Sequence, residues 1–221
     1  MRSRRFHIVG LLLLAAAFIL SVALYNRLPD PLPTHWDIGG EANGFTPKPW
    51  GPFLSPLLIG FIYVLFAVLP RISPREFPLD RFGNAYDTMG IATMAFIFIV
   101  STFSLLQALS LGINFGRVVV SCLGVFLAIL GNYMGKVTPN FFVGIRTPWT
   151  LSNTEVWLRT HRLAGKLTVA AGLTVAILGA IGVGASWVLP AILIAVLIPV
   201  IYSYVIYRRL SHTDAGPPST S

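Results

Sequence analysis

The chain has 221 residues, of which 55% are apolar and only 11% are charged, with a net charge of +8. Soluble domains carry about a quarter charged residues, so this composition argues against an ordinary soluble protein. The apolar residues form long runs that contain no Asp, Glu, Lys or Arg. A transmembrane helix needs about 20 apolar residues, whereas barrel strands would alternate polar and apolar residues. The sequence therefore predicts an all-α, polytopic transmembrane bundle.

Six runs are long enough to cross a membrane. They cover residues 6–25, 52–70, 89–113, 118–134, 167–185 and 187–207. The first run has a basic segment before it, as a signal peptide would. Its apolar stretch is longer than the usual 7–15 residues, which favours a retained membrane anchor.

The basic residues predict the orientation of the chain. With the N-terminus inside, thirteen Lys and Arg residues fall in cytoplasmic segments and three fall outside. This bias follows the positive-inside rule and predicts that both termini are cytoplasmic, in a bacterial inner membrane. The charge is spread over every cytoplasmic segment, which fits contact with anionic lipid headgroups and not direct nucleic-acid binding.

The spans divide the chain into two regions and a tail. Residues 1–87 hold two spans joined by an extracytoplasmic loop, 26–51, and residues 88–210 hold four spans and a cytoplasmic loop, 135–166. Residues 211–221 are small, polar and Pro-containing, which predicts a disordered tail. In the fifth span, small residues recur every four positions and predict close helix packing. They are Gly172, Ala176, Ala180 and Gly184.

The outer loop is expected to be ordered. Pro29, Pro31 and Pro33 fix their own backbone dihedrals and restrict the residues before them. The dipeptides at 39–40 and 43–44 are Gly-Gly and Asn-Gly, which predict turns. A loop with this many restricted positions holds its side chains in defined places.

The outer loop carries the candidate residues for recognition outside the cell. These are His35, Trp36, Asp37 and Glu41. His and carboxylates are metal-ligand types, but this spacing matches no known ligand motif, and we predict no metal site. Aromatic and charged residues on a rigid loop suit contact with an extracellular peptide. The alternative is a loop packed on the mouth of the bundle, with Trp36, Phe45 and Trp50 at the interface and the charged residues in water.

The inner loop contains a predicted helix. Ser152 and Glu155 fit a capping box that starts it, and Gly165 is placed to end it. Several residues between them share one helical face: Val156, Trp157, Thr160, Leu163 and Ala164. We therefore expect a short amphipathic helix that lies on the inner membrane surface, with Arg159 and Arg162 facing headgroups or water.

The inner loop also carries a recognisable signature. It reads Gly-Asn-x-x-Gly-Lys from Gly131, Gly-Ile-Arg-Thr-Pro-Trp-Thr-Leu from Gly144 and Val-Trp-x-x-Thr-His-Arg from Val156. This pattern closely resembles the SdpI family signature. The outer loop, Leu-Pro-x-x-x-Pro-Thr-His-Trp from Leu28 and Gly-Gly-Glu-Ala-Asn-Gly from Gly39, resembles the domain of unknown function that often precedes that family's region.

The resemblance implies a bacterial immunity and signalling membrane protein. The founding member of the family protects its producer from a secreted peptide toxin, and it draws a soluble transcriptional repressor to the membrane. The implied partners are therefore a peptide toxin outside and a repressor inside, with no cofactor. The candidate partner-binding residues in the inner loop are Asn132, Lys136, Asn140, Arg146, Trp149, Trp157 and His161.

Two other classes of function fit the sequence less well. A small transporter or channel remains the alternative, although the spans lack the Asp, Glu, Lys and Arg that usually mark ion pathways. A membrane enzyme is disfavoured because the sequence has no phosphate loop, nucleophile elbow or zinc helix motif. We predict an immunity and sensor protein that is not an enzyme.

Overall fold

The computed structural model describes residues 2–37, 41–183 and 185–214. Long helices form a bundle that is closed by a β-hairpin at one end and by a folded loop at the other. The helices are α1 (Arg4–Leu24), α2 (Leu54–Ile72), α3 (Gly83–Ala108), α4 (Phe115–Met134), α5 (Pro148–Ser152), α6 (Thr154–Ile181) and α7 (Ala185–Asp214). The hairpin pairs β1 (Leu32–Trp36) with β2 (Ala42–Thr46) in antiparallel fashion.

Six of these helices are long and apolar enough to cross a membrane, which confirms the predicted all-α bundle of six spans. The predicted bounds need small corrections. The third span ends at Ala108, because Ser110 and Gly112 take positive φ angles of 58° and 67° and turn the chain toward α4. Helix α7 continues to Asp214, into the segment 211–221 that the sequence assigns to a disordered tail. The rest of that segment lies outside the described residues.

The bundle has two distinct ends. We call the end with the start of α1, the end of α7 and residues 135–153 the basic end, and the opposite end the hairpin end. Residues 135–153, including α5, are called the signature loop from here on. The positive-inside rule predicts that the basic end is the cytoplasmic one.

Helices α4 and α6 pack with their backbones in contact. A Cβ atom added to Gly124 would lie 2.2 Å from the Ala176 nitrogen, and one added to Gly172 would lie 2.5 Å from the Ala128 nitrogen. Small residues permit such an approach between transmembrane helices. The predicted ridge is therefore partly right: Gly172 and Ala176 lie in this contact, Ala180 is exposed, and Gly184 is outside the described residues.

The predicted surface helix is wrong. Its residues form the first turns of α6, which continues through Gly165 to Ile181. Gly165 does not end the helix but lets α4 approach, since a Cβ atom added to it would lie 2.8 Å from the Gly131 carbonyl oxygen. The cap is also one residue later than expected, since the Asn153 side chain accepts hydrogen bonds from the Glu155 and Val156 N–H groups.

The N-terminal segment is tied to the start of α3 at the basic end. The Arg2 side chain is only 3% exposed, pairs with Asp87 at 2.9 Å and also bonds Asp80. Its guanidinium lies 4.5 Å from the centre of the Tyr86 ring. The Ser3 N–H donates to the second Asp87 oxygen at 3.0 Å. These contacts fix α1 against α3 on the side opposite the hairpin.

Substitution of Gly124 by Ala tests the helix contact. We expect Gly124→Ala to destabilise the protein by about 1–3 kcal/mol, because a methyl group has no room between the two backbones. Gly60→Ala is the matched control, since its Cβ would meet only Leu14 at 3.7 Å. Thermal denaturation in detergent measures both variants. A Gly124→Ala protein as stable as Gly60→Ala would contradict the close packing.

Candidate functional site

Trp157 belongs to the buried apolar core of the basic end. It is fully buried, and its indole N–H donates to the Val137 carbonyl at 2.7 Å. Its ring stacks on that of His161 with 4.0 Å between centroids. Apolar residues around the start of α3 complete this core, namely Leu79, Phe82, Ala85, Tyr86 and Met89. The signature loop is therefore packed between α3 and α6 and forms part of the folded bundle.

His161 is fully buried and both of its ring nitrogens are engaged. The Ile145 N–H donates to Nε2 at 3.0 Å, so the hydrogen of a neutral ring is on Nδ1, which lies 2.8 Å from the Trp157 carbonyl oxygen. Gly144 adopts a φ of +112°, and a Cβ there would lie 2.3 Å from Nε2. A glycine is thus required for the loop to reach the histidine.

Asn140 organises the middle of the loop. Its side-chain oxygen accepts from the Phe142 and Val143 N–H groups at 2.8 and 2.7 Å. Its side-chain nitrogen donates to the Thr138 and Val143 carbonyls at 2.8 and 3.0 Å. All four bonds are made by a residue with no exposed surface. The amide replaces backbone partners that the irregular loop lacks.

The short helix α5 attaches the loop to α7. Thr147 and Thr150 form a capping box, and Pro148 occupies the first turn of the helix. The Trp149 indole N–H donates to the Ser203 hydroxyl, and its ring meets Tyr204 edge to face at 5.3 Å. The sequence contains no signal that pairs Trp149 with a residue 54 positions away, so this attachment was not predictable.

The remaining partner-binding candidates, one on the last turn of α4 and two in the signature loop, face outward. Asn132, Lys136 and Arg146 are exposed. The Lys136 ammonium lies 4.7 Å from the Tyr133 ring, and Arg146 donates to the Phe141 carbonyl. Phe141 is itself 39% exposed and packs edge to face with Phe77 at 4.7 Å. The accessible surface of the loop is therefore basic and aromatic.

The predicted partner-binding residues thus separate into two groups. The side chains of Asn140, Trp157 and His161 are buried and shape the loop, and Trp149 is half-buried against α7. A partner that docks on this structure meets Lys136 and Arg146 instead. Phe77 and Phe141 were not among the predicted residues, because no sequence pattern marks two aromatic residues from separate segments as neighbours.

The described residues of the outer loop, 26–37 and 41–51, include a β-hairpin that the sequence did not predict. His35 Nδ1 lies 2.6 Å from the Asn43 side-chain oxygen, and the Glu41 N–H donates to the Asp37 carboxylate at 3.0 Å. The expected turn at Asn43-Gly44 is wrong. Gly44 lies within β2 opposite His35, where a Cβ would come within 2.8 Å of the His35 Cβ. The Gly39-Gly40 dipeptide is outside the described residues.

The hairpin is docked on α3 and α4. Leu28 and Leu32 are buried against Leu105 of α3. The Trp36 ring lies 4.3 Å from that of Phe115, the first residue of α4, as expected for a loop packed on the bundle. The same expectation is wrong for Phe45 and Trp50, which are 56% and 69% exposed. Within residues 2–37, 41–183 and 185–214, no three His, Cys, Asp or Glu side chains are placed to share a metal ion. His35, Asp37 and Glu41 are instead held on the water side of a hairpin with an apolar underside.

Replacement of Asn140 tests its role in the loop. Asn140→Ala removes four hydrogen bonds and leaves part-buried backbone groups without partners, at a cost of up to about 1–3 kcal/mol each. We expect faster proteolysis within residues 138–147, measured in inside-out membrane vesicles. Asn132→Ala removes the same side-chain type at an exposed position and should leave cleavage unchanged. Equal protection in the two variants would show that Asn140 does not hold the loop.

Comparisons with known proteins agree with this arrangement. The SdpI/YfhL protein family model matches residues 136–203, and a domain of unknown function, DUF1648, matches residues 12–60. The chain is 29% identical over 208 residues to the Immunity protein SdpI of Bacillus subtilis (strain 168), covering 93% of this chain and 97% of that protein. No solved structure matches significantly. The residues that the SdpI/YfhL family model matches include nearly all of the signature loop, the whole of α6 and most of α7.

Proposed function

We propose that this chain is an immunity protein of a bacterial cell membrane, which protects the cell that carries it from a secreted peptide toxin. The observation that carries the proposal is the similarity to the Bacillus subtilis immunity protein, which extends over nearly the whole of both chains. The role requires binding and not catalysis. It suits a multi-pass membrane protein with a separate ordered structure at each end.

The hairpin end is the proposed toxin-facing surface. His35, Asp37 and Glu41 are exposed there, and Trp36 is half-buried beneath them. Hydrogen bonds across the hairpin fix these positions before any partner arrives. A preordered surface loses less conformational entropy on binding, which favours recognition by this end.

The basic end is the proposed docking surface for a soluble repressor protein. Lys136 and Arg146 are exposed beside Phe141, and Arg159 and Arg162 are exposed on the first turns of α6. Such a surface fits a partner with acidic side chains around an apolar contact. The buried residues of the signature loop support it indirectly, because they fix the backbone that carries Lys136 and Arg146.

Expression in a toxin-sensitive strain tests the proposed immunity. We expect the wild-type chain to raise tolerance to a peptide fraction secreted by its native host. Gly124→Ala should give less protection, because the destabilised bundle is less abundant in the membrane. Absence of protection against every secreted fraction would contradict the proposal.

Charge reversal at the basic end tests the docking surface. The double variant Lys136→Glu/Arg146→Glu should weaken recruitment of a cognate repressor to membranes by about tenfold or more, because like charges would then oppose each other. Toxin tolerance should not change. Lys48→Glu, at the hairpin end, is the control for a reversed charge. Recruitment can be measured by membrane co-sedimentation, and recruitment unaffected by the double variant would rule out this surface.

A further inference from the structure

Two apolar cavities lie beneath the hairpin, on either side of the contact between Trp36 and Phe115. Their volumes are about 320 and 450 Å³. Sites for small ligands usually have about 300–1,000 Å³, so each cavity is large enough to hold several side chains. Thr34, Trp36, Val100 and Phe115 line both. The two cavities therefore form adjoining halves of one site, with the aromatic pair between them.

The smaller cavity extends into the membrane-spanning part of the bundle. It lies between Leu54 and Leu58 of α2 and Ile97 and Ser104 of α3. Leu54 and Leu58 are 45% and 47% exposed on α2, so the cavity reaches the surface that lipid tails cover. The described residues that line it include no charged side chain. An apolar group from the membrane could enter here without losing hydrogen bonds to water.

The larger cavity has an apolar floor and a polar rim. Val119 and Leu123 of α4 and Val188 of α7 form the floor, while His35 and Asp37 of the hairpin form the rim. Asp37 is the one charged side chain among the described residues that line it. It is exposed at the hairpin end, where the cost of placing a carboxylate in hydrocarbon favours the aqueous side of the membrane boundary.

We propose that the two cavities bind an apolar peptide segment that carries a cationic group at its outer end. The apolar side chains of the peptide pack against the cavity walls beside Trp36 and Phe115, and its cationic group pairs with Asp37. A phospholipid tail fits the same walls, but Asp37 favours a net cation over a phospholipid, whose phosphate keeps a negative charge even where the headgroup also holds an ammonium. This inference rests on the proposed function: it takes the ligand to be the toxin, and it names the toxin's chemical class and binding site.

A cavity-filling substitution tests the site in cells. Val100→Trp places an indole where both cavities meet, and Leu58→Trp narrows the smaller cavity at its exposed edge. Leu57→Trp is the matched control, because Leu57 is 64% exposed on the same helix and lines neither cavity. We expect both blocking variants to lose most of the protection while the control keeps it, at equal membrane abundance.

The outcomes of this experiment separate the two claims. If the wild-type chain protects cells and both blocked variants protect them equally well, the cavity site is overturned and the immunity function stands. If the wild-type chain gives no protection, the immunity function fails, and the site is then decided by direct binding. The Leu58→Trp variant keeps the test valid if Val100→Trp does not fold.

Direct binding can be measured with defined synthetic peptides. A Lys-flanked poly(Leu-Ala) peptide with a photoreactive group is added to the purified protein in phosphatidylcholine nanodiscs, beside a Glu-flanked counterpart. We expect the Lys-flanked peptide to label β1 and the second half of α3 about fivefold more strongly. Asp37→Asn should remove this preference, and Val100→Trp should remove the labelling.

Two results would overturn the proposed site. One is equal labelling by both peptides, or labelling spread evenly over the lipid-facing helices, which would show simple partition into the bilayer. The other is phospholipid that copurifies with the wild-type protein and is lost in Val100→Trp, without peptide labelling. That result would identify the cavities as a lipid site.

Discussion

The backbone contact between α4 and α6 is the constraint on which the basic end depends. A Cβ atom added to Gly131 would lie 2.7 Å from the Val169 nitrogen, so these antiparallel helices approach more closely than side chains would allow. The end of α4 lies beside Arg162 of α6, since a Cβ atom added to Gly135 would lie 3.7 Å from the Arg162 Cα. The signature loop must then connect this point to the start of α6 at Thr154, about two helical turns away. Trp157, in the first turns of α6, holds the first residues of the loop through the Val137 carbonyl. The loop conformation is thus a consequence of helix packing.

Polar side chains in the loop and on the facing turns of α6 stabilise this geometry whether or not a partner is bound. Asn140 and His161 are buried, and each satisfies backbone groups that regular secondary structure would otherwise pair. Their cost of burial is offset only if every bond is made, which specifies one loop conformation. The exposed cations, Lys136 and Arg146, are presented from that conformation. Most of the inner-loop signature therefore stabilises the fold, and only a few of its side chains are accessible to a partner.

The six spans were predictable because a helix that crosses the membrane needs about 20 consecutive apolar residues, and such runs are visible in the sequence. The hairpin was not, since three prolines hide the strand alternation and Leu32 is ordered by Leu105, far along the chain. The continuation of α6 through Gly165 also depends on a neighbour, because Gly ordinarily costs about 1 kcal/mol in a helix. The burial of Asn140 and His161 was missed for a similar reason. A polar residue in a loop is expected to be exposed, and the backbone partners that allow these two to be buried are not visible in the sequence.

Helix α3 connects the two ends, with Leu105 in the hairpin core and Tyr86 and Met89 in the core of the basic end. A ligand at the hairpin therefore meets the same rigid element that supports the signature loop. Recognition of the toxin by the hairpin end is tested most directly by hydrogen exchange. The purified protein is measured with and without the secreted peptide fraction of the native host. Slower exchange in β1, β2 and the second half of α3 is predicted. Unchanged exchange at the hairpin, or changes confined to the basic end, would contradict recognition by the hairpin end.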